Sequence, residues 1–280
     1  MKWKDGAKFA LCLTHDVDRV KKKWYHYGYY LLKKGVSSQA SSLKDKIKGN
    51  EPYDNFEYVI SKEKEFGATS TFLFLNERVR KLDPKFMGRY KMNDKRILKA
   101  LDIIKSNGCE IGFHGSYYSF DNEAMLISEK EFLDKLCGEK VISTRQHHLN
   151  FSEHLTWVAQ KKSGILFDST KGFNDHVGLE LPTRPYFTAE GILEFPMTVM
   201  DTVNLTDHMI VNDIWEAMDK ICEDSGVMTL NFHQCKFNQY DHPEIVELYS
   251  EILKRAKQKK AWIASMGEIG KWLIEQNLIE

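Results

Sequence analysis

Proline is scarce, 6 in 280 residues, which argues against long disordered tracts. No stretch approaches the ~18 consecutive apolar residues of a membrane span. An excess of either charge is also missing: 40 Lys and Arg balance 40 Asp and Glu, which argues against a general polyanion binder, and no recognised nucleic-acid-binding module is present, so no nucleic-acid partner is expected. The five cysteines (Cys12, Cys109, Cys137, Cys222, Cys235) are odd in number, scattered and never spaced as Cys-x-x-Cys. They fit neither a disulfide framework nor a thiolate zinc site. Cys12 and Cys109 fall in strand-like runs and read as small buried hydrophobes. Cys235 lies two residues past His233, where it could face the same site. The opening Met1-Lys-Trp-Lys-Asp-Gly6 leads into a strand within nine residues and leaves no room for a signal peptide, so a soluble, cytoplasmic protein is expected.

What is present is a core and an alternation. Hydrophobic residues make up 42% of the chain, enough for one barrel-sized domain. Strand-like runs occupy 9–16, 68–75, 109–114, 140–146, 164–168, 192–199, 227–233 and 261–265, with helical patterns between most of them. In 94–107, Ile97, Leu98, Leu101 and Ile104 recur at helical spacing before a stop at Asn107-Gly108. Residues 241–259 do the same, Ser152 is placed to cap 153–163, and Met266 starts the last helix. Strand–helix alternation predicts an α/β fold with parallel strands and helical crossovers. No helix is expected between 170 and 190, and no repeat or linker divides residues 1–280.

Acids and imidazoles collect at the ends of the strands. Phe9–Asp18 finishes in Asp16 and Asp18, Glu110–His114 in His114, Val141–His147 in Arg145 and His147, and Thr229–His233 in His233. Side chains alternate faces along a strand, so Asp16 shares a face with Asp18, and Arg145 with His147. In strand–helix barrels the C-terminal strand ends converge on the active-site face. Carboxylates and imidazoles converging there suggest a hydrolytic metal site.

Thr14-His-Asp-Val-Asp18, His114-Gly-Ser-Tyr-Tyr-Ser119, Arg145-Gln-His-His148 and Leu230-Asn-Phe-His233 resemble, in order, four motifs of the polysaccharide deacetylases, the NodB-homology or family 4 carbohydrate esterases. The resemblance spans residues 14 to 233. It implies a distorted (β/α) barrel of about seven strands and a metal-dependent hydrolase that removes the N-acetyl group of an amino sugar in a glycan or glycan precursor, releasing acetate. Carried over by position, Asp16 is the base, Asp18 and His114 are ligands of Zn²⁺ or another divalent metal, Arg145 orients the base, and His233 is the general acid. Such a metal lowers the pKa of its water to about 7 and polarises the acyl carbonyl.

Two positions depart from the pattern. The second histidine of the second motif would fall at Tyr118, and His147 stands where proline is usual. One imidazole lost and one gained at neighbouring strand ends suggests an Asp18–His114–His147 set, resembling a subgroup with His-Gly-Ser-Tyr and Arg-Gln-His motifs; His148 is the alternative ligand. Asp168, at another strand end, is expected to hold His233 or Arg145. Arg184 and Asp201 are weaker candidates for substrate contacts, and His26, His154, His176, His208 and His242 are expected to face solvent.

Residues 19–49 carry nine Lys or Arg against one acid, Asp45, with Trp24, Tyr25, Tyr27, Tyr29 and Tyr30 among them. This insertion, at about 19–50, reads either as aromatics packed on the barrel beneath solvated lysines, or as a lid that holds an anionic or membrane-linked glycan. Two rivals to the deacetylase reading stand: a hydrolase of the same fold acting on another small amide or imide, and a degenerate homologue that binds glycan without turnover.

Overall fold

The computed structural model describes residues 2–77 and 89–279. Its strands are β1 (Phe9–Val17), β2 (Thr71–Leu75), β3 (Glu110–Gly115), β4 (Ser143–Gln146), β5 (Phe167–Asp168), β6 (Tyr186–Phe187), β7 (Leu193–Glu194), β8 (Met197–Met200), β9 (Val227–Asn231) and β10 (Ala261–Ala264). They form one curled sheet in the order β6-β7-β5-β4-β3-β2-β1-β9-β8, with β10 beside the first half of β1. All the pairings are parallel except β6 with β7. The helices are α1 (Trp24–Lys34), α2 (Val36–Ile47), α3 (Phe56–Lys64), α4 (Lys95–Ser106), α5 (Glu123–Cys137), α6 (Thr156–Ser163), α7 (His208–Glu223), α8 (Pro243–Gln258) and α9 (Met266–Glu275).

Ten strands, rather than about seven, enter this sheet among the described residues. One reason is the run expected at 192–199. It breaks at Pro196, which has no N–H to give to a ladder. The half before the break pairs with β5 and the half after it with β9. A single broken segment therefore touches both flanks of the curled sheet. No helix occurs between 170 and 190, as expected, but β6 does. Helix α6 begins at Thr156 rather than 153, with Leu155 at its N-cap. Ser152 instead donates its N–H to the Thr156 hydroxyl.

Strand β1 is buried on both faces, as a central parallel strand between barrel interior and helices must be. Alternation sorts its polar residues. Thr14 and Asp16 point inward, where both meet the Arg145 guanidinium. His15 points outward and bonds Phe232 O and the buried Glu63 beneath α3 and α8. Leu75 pairs with His114, and His114 with Arg145, so three strand ends finish on one rung.

The insertion folds as α1 and α2, joined at Gly35, whose φ of 83° suits glycine. It departs from the expectation of packed aromatics and solvated lysines. Lys22 is fully buried, 2.7 Å from Asp241, and its ammonium lies over the Tyr27 ring. Trp24, Tyr25 and Tyr29 are exposed.

Candidate active site

The C-terminal strand ends line a cavity of about 300 Å³ that holds Asp16, Asp18, His114, Gln146, His147, His148, His233, Cys235 and Lys236. The parity argument from sequence holds here, since Asp16 and Asp18 both reach this cavity. A larger groove, about 560 Å³ beside Tyr58, Arg96 and Tyr240, contains none of the candidate residues.

Asp18, His114 and His147 are buried, and one ligand atom from each lies within 4.8 Å of the others. His114 Nδ1–H donates to the Arg145 carbonyl at 2.8 Å. That bond selects the tautomer whose Nε2 lone pair is free, and Nε2 lies 3.7 Å from Asp18 Oδ1. Asp18 Oδ1 is itself a buried oxygen with no hydrogen-bond partner among the described residues. His147 Nε2 is 3.5 Å from Asp18 Oδ2, and its Nδ1 is 3.5 Å from Glu77 Oε1. A carboxylate behind a ligating imidazole is a common outer-shell arrangement. A divalent cation therefore fits this donor set of two imidazoles and one carboxylate, whose Oδ1 is the orphaned buried oxygen.

Arg89 complicates the fit, and nothing in the sequence patterns pointed to it. Its Nε donates to Glu77 at 2.8 Å, its Nη1 lies 3.2 Å from Asp18 Oδ2, and its Nη2 lies 2.7 Å from His147 Nε2. Burial pulls the His147 pKa down, but Asp18 and Glu77 more than offset that and raise it. A guanidinium at 2.7 Å can donate only to the neutral ring, so we take neutral His147 as the form present beside Arg89. Glu77 was also missed, although its place two residues past β2 is the same strand-end signal that marked the other acids.

Asp16 is held at both oxygens. Arg145 Nη1 donates to Oδ1 at 2.9 Å and Asn231 Nδ2 to Oδ2 at 2.7 Å. Burial raises its pKa, but His114 and Arg145 win and the net shift is downward. Arg145 reaches Asp16 through one bond only. Its fully buried fork is shared among Asp16, Thr14 Oγ1 and both the carbonyl and hydroxyl of Ser169.

His233 donates its Nδ1–H to Asp201 Oδ1 at 2.7 Å, and its backbone N–H goes to Asp201 Oδ2 at 2.7 Å. Burial alone would lower the His233 pKa; the Asp201 carboxylate raises it instead. Lys236 reaches the same carboxylate at 2.9 Å. Asp201 is thus the partner of His233.

Asp168 is not bonded to Arg145 or His233. It accepts from Trp157 Nε1 at 3.1 Å and from Thr170 Oγ1 at 2.6 Å, and Thr170 in turn accepts the Gln146 N–H. Burial raises its pKa and, well above the usual range, that of the neighbouring Glu194. Asp168 therefore buttresses the end of β4 from behind. Tyr118 lies in the turn after β3 and is not among the cavity residues. Strand β4 stops at Gln146, and His148 and Leu149 adopt left-handed φ values of 58° and 55°. His147 stays buried while His148 is exposed at the rim. Cys235 lines the cavity with its thiol pushed up to about 12 by burial, a poor nucleophile. Arg184 binds the Asp224 carbonyl at the surface. Of the histidines expected in solvent, His154 and His208 are exposed, whereas His242 is tucked against the Tyr30 hydroxyl at 2.7 Å.

No family model matches the chain, and no curated protein matches it in sequence. Solved structures do. A protein from Mycobacterium smegmatis assigned as a polysaccharide deacetylase superposes with a TM-score of 0.65 at 17% identity, over 99% of this chain and 94% of that one. A second, from Pseudomonas aeruginosa PAO1, gives 0.62 at 15% identity over 98% and 93%. The chain has the polysaccharide-deacetylase fold. With it goes an Asp18–His114–His147 cluster spaced for a metal ion.

Proposed function

We propose that the protein is a metal-dependent deacetylase that hydrolyses the N-acetyl group of an amino sugar in a polysaccharide or glycan precursor and releases acetate. The observation that carries this reading is the meeting, in one cavity, of three elements: the Asp18–His114–His147 donor set, Asp16 on Arg145 and Asn231, and His233 on Asp201. Zn²⁺ or another divalent ion, held by Asp18, His114 and His147, would lower the pKa of a bound water and polarise the acyl carbonyl.

The chain's own residues do the proton work. Asp16, ionised by its two hydrogen bonds and by nearby positive charge, takes a proton from the attacking water as oxygen adds to the acyl carbon. His233 carries a proton that Asp201 stabilises. It delivers that proton to the amide nitrogen as the carbon–nitrogen bond breaks, because an amine leaves poorly unless protonated. Acetate and the free amino sugar are the products. Arg145 and Asn231 are positioning residues: they fix the base without touching substrate.

Asp16→Asn tests the assignment. The variant should keep its metal and lose turnover by ~10²-fold or more, as removal of a general base predicts. Near-normal acetate release from an N-acetylated oligosaccharide would remove Asp16 from the mechanism. Hydrolysis of a small amide or imide with none on such sugars would favour the rival substrate class.

A further inference from the structure

The α1–α2 hairpin is amphipathic in the wrong sense for water. Its inner side is polar and docked. Lys22 binds Asp241, Gln39 and Ser42; Tyr30 Oη meets His242; Ser38 Oγ donates to the Tyr240 carbonyl at 2.6 Å. Its outer side exposes large apolar side chains, with Ser37, Ser41 and Lys44 beside them on α2. Trp24 is 72% exposed, Leu32 89%, Val36 73% and Ile47 78%. At roughly 100° per residue, Leu31, Trp24, Leu32, Tyr25 and Tyr29 fall on one arc of α1 of roughly 160°, and the buried Tyr27 lies outside it. In α2, Val36 and Ile47 are 11 residues apart, about three turns, and so share a face.

Positive charge borders this face. Lys23, Lys33, Lys44 and Lys48 are exposed, and none has a carboxylate within 4.0 Å among the described residues. The other lysines of the segment are occupied: Lys21 by Asp94, Lys22 by Asp241, Lys34 by Glu244 and Lys46 by Glu51. The chain as a whole is neutral, so this charge is local. Exposed Trp, Tyr and Leu flanked by unpaired lysines on a short helical pair is the composition of a surface that lies in the headgroup region of a bilayer.

We propose that the outer face of the α1–α2 hairpin docks the protein on an anionic lipid surface. Apolar side chains of α1 and α2 enter the headgroup–acyl boundary, and the unpaired lysines bind lipid phosphates. Arg19, between Asp18 and the hairpin, lines the catalytic cavity, so docking would present that cavity near the membrane.

The test is co-sedimentation of the full chain with phosphatidylcholine vesicles, with and without phosphatidylglycerol, at low and high salt; it makes no use of catalysis. Binding is expected to the anionic vesicles alone and to weaken as salt screens the lysines. Replacing Lys33 and Lys44 by Ser should lower the affinity roughly fivefold per lysine. Trp24→Ser with Leu32→Ser should abolish pelleting. Val36→Ser with Ile47→Ser gives an independent second pair should the first fail to fold, which circular dichroism reports. Equal binding to neutral vesicles, no binding to anionic ones, or wild-type binding by a folded apolar variant would each overturn the proposal. So would light scattering that shows a dimer dissociated by the apolar substitutions, since the face would then be a subunit interface.

Discussion

Replacing Asp201 by Asn should move the alkaline limb of activity to lower pH and leave the acid side nearly unchanged. In the native protein, Asp201 accepts both the Nδ1–H and the backbone N–H of His233 at 2.7 Å, and it is fully buried. The His233 pKa is raised above the ordinary imidazole value by this carboxylate, against the opposing effect of burial. A hydrogen bond to a charged group contributes about 1.5–3 kcal/mol. At 1.36 kcal/mol per unit of pKa, its loss lowers the limb by roughly one pH unit or more. The sign follows from the direction of the shift. His233 must be protonated to act as acid, and a raised pKa keeps it protonated to higher pH. Its contribution to stability is likewise present below the unfolded imidazole pKa and lost as pH rises through the folded one. Asparagine preserves the shape and can still accept a hydrogen bond, but it removes the charge. The assay is acetate release from an N-acetylated oligosaccharide across pH, paralleled by hydrolysis of an aryl acetate, whose good leaving group needs no acid. The limb should shift for the amide and not for the ester. An unmoved limb on the amide would refute the pairing of Asp201 with a catalytic His233.

Metal content of purified variants separates the ligands: His114→Ala should abolish binding and His147→Ala should weaken it strongly. His148→Ala should matter little, because His148 is exposed at the rim; metal loss in that variant alone would reverse the assignment. Arg89→Ala should tighten metal binding, measured by competition with a chelator, since its guanidinium lies against Asp18 and His147. Weaker binding would mean that Arg89 supports the site rather than competing for it. Asp241→Ala should destabilise the fold by about 3–5 kcal/mol, read from denaturant melts, because it leaves the buried Lys22 charge unpaired. A loss under about 1 kcal/mol would show that Lys22 finds water or another partner.

Much of this protein was legible along the chain because strand parity is local. Two residues apart on a strand means the same face, so Asp16 and Asp18 had to reach one side of the sheet together. The alternation of apolar strands with amphipathic helices determined a parallel α/β sheet whose polar strand ends share one rim. His114 could be placed at that rim from the end of its run. Tertiary structure decided what each of these groups touches. Asp201 and His233 are 32 positions apart, and no periodicity links them. Asp168 was the acid expected to hold His233 or Arg145, but the closed strands place it behind β4, against Trp157 and Thr170. Arg89 and Glu77 reach His147 from across the site. The hairpin shows the same division. Its composition showed lysines and aromatics mixed, but only the packing of Lys22 against Asp241 decided which face of each helix turned inward. Local spacing fixes which residues share a surface. Long-range contact energies decide which surface is buried and which charge finds which partner.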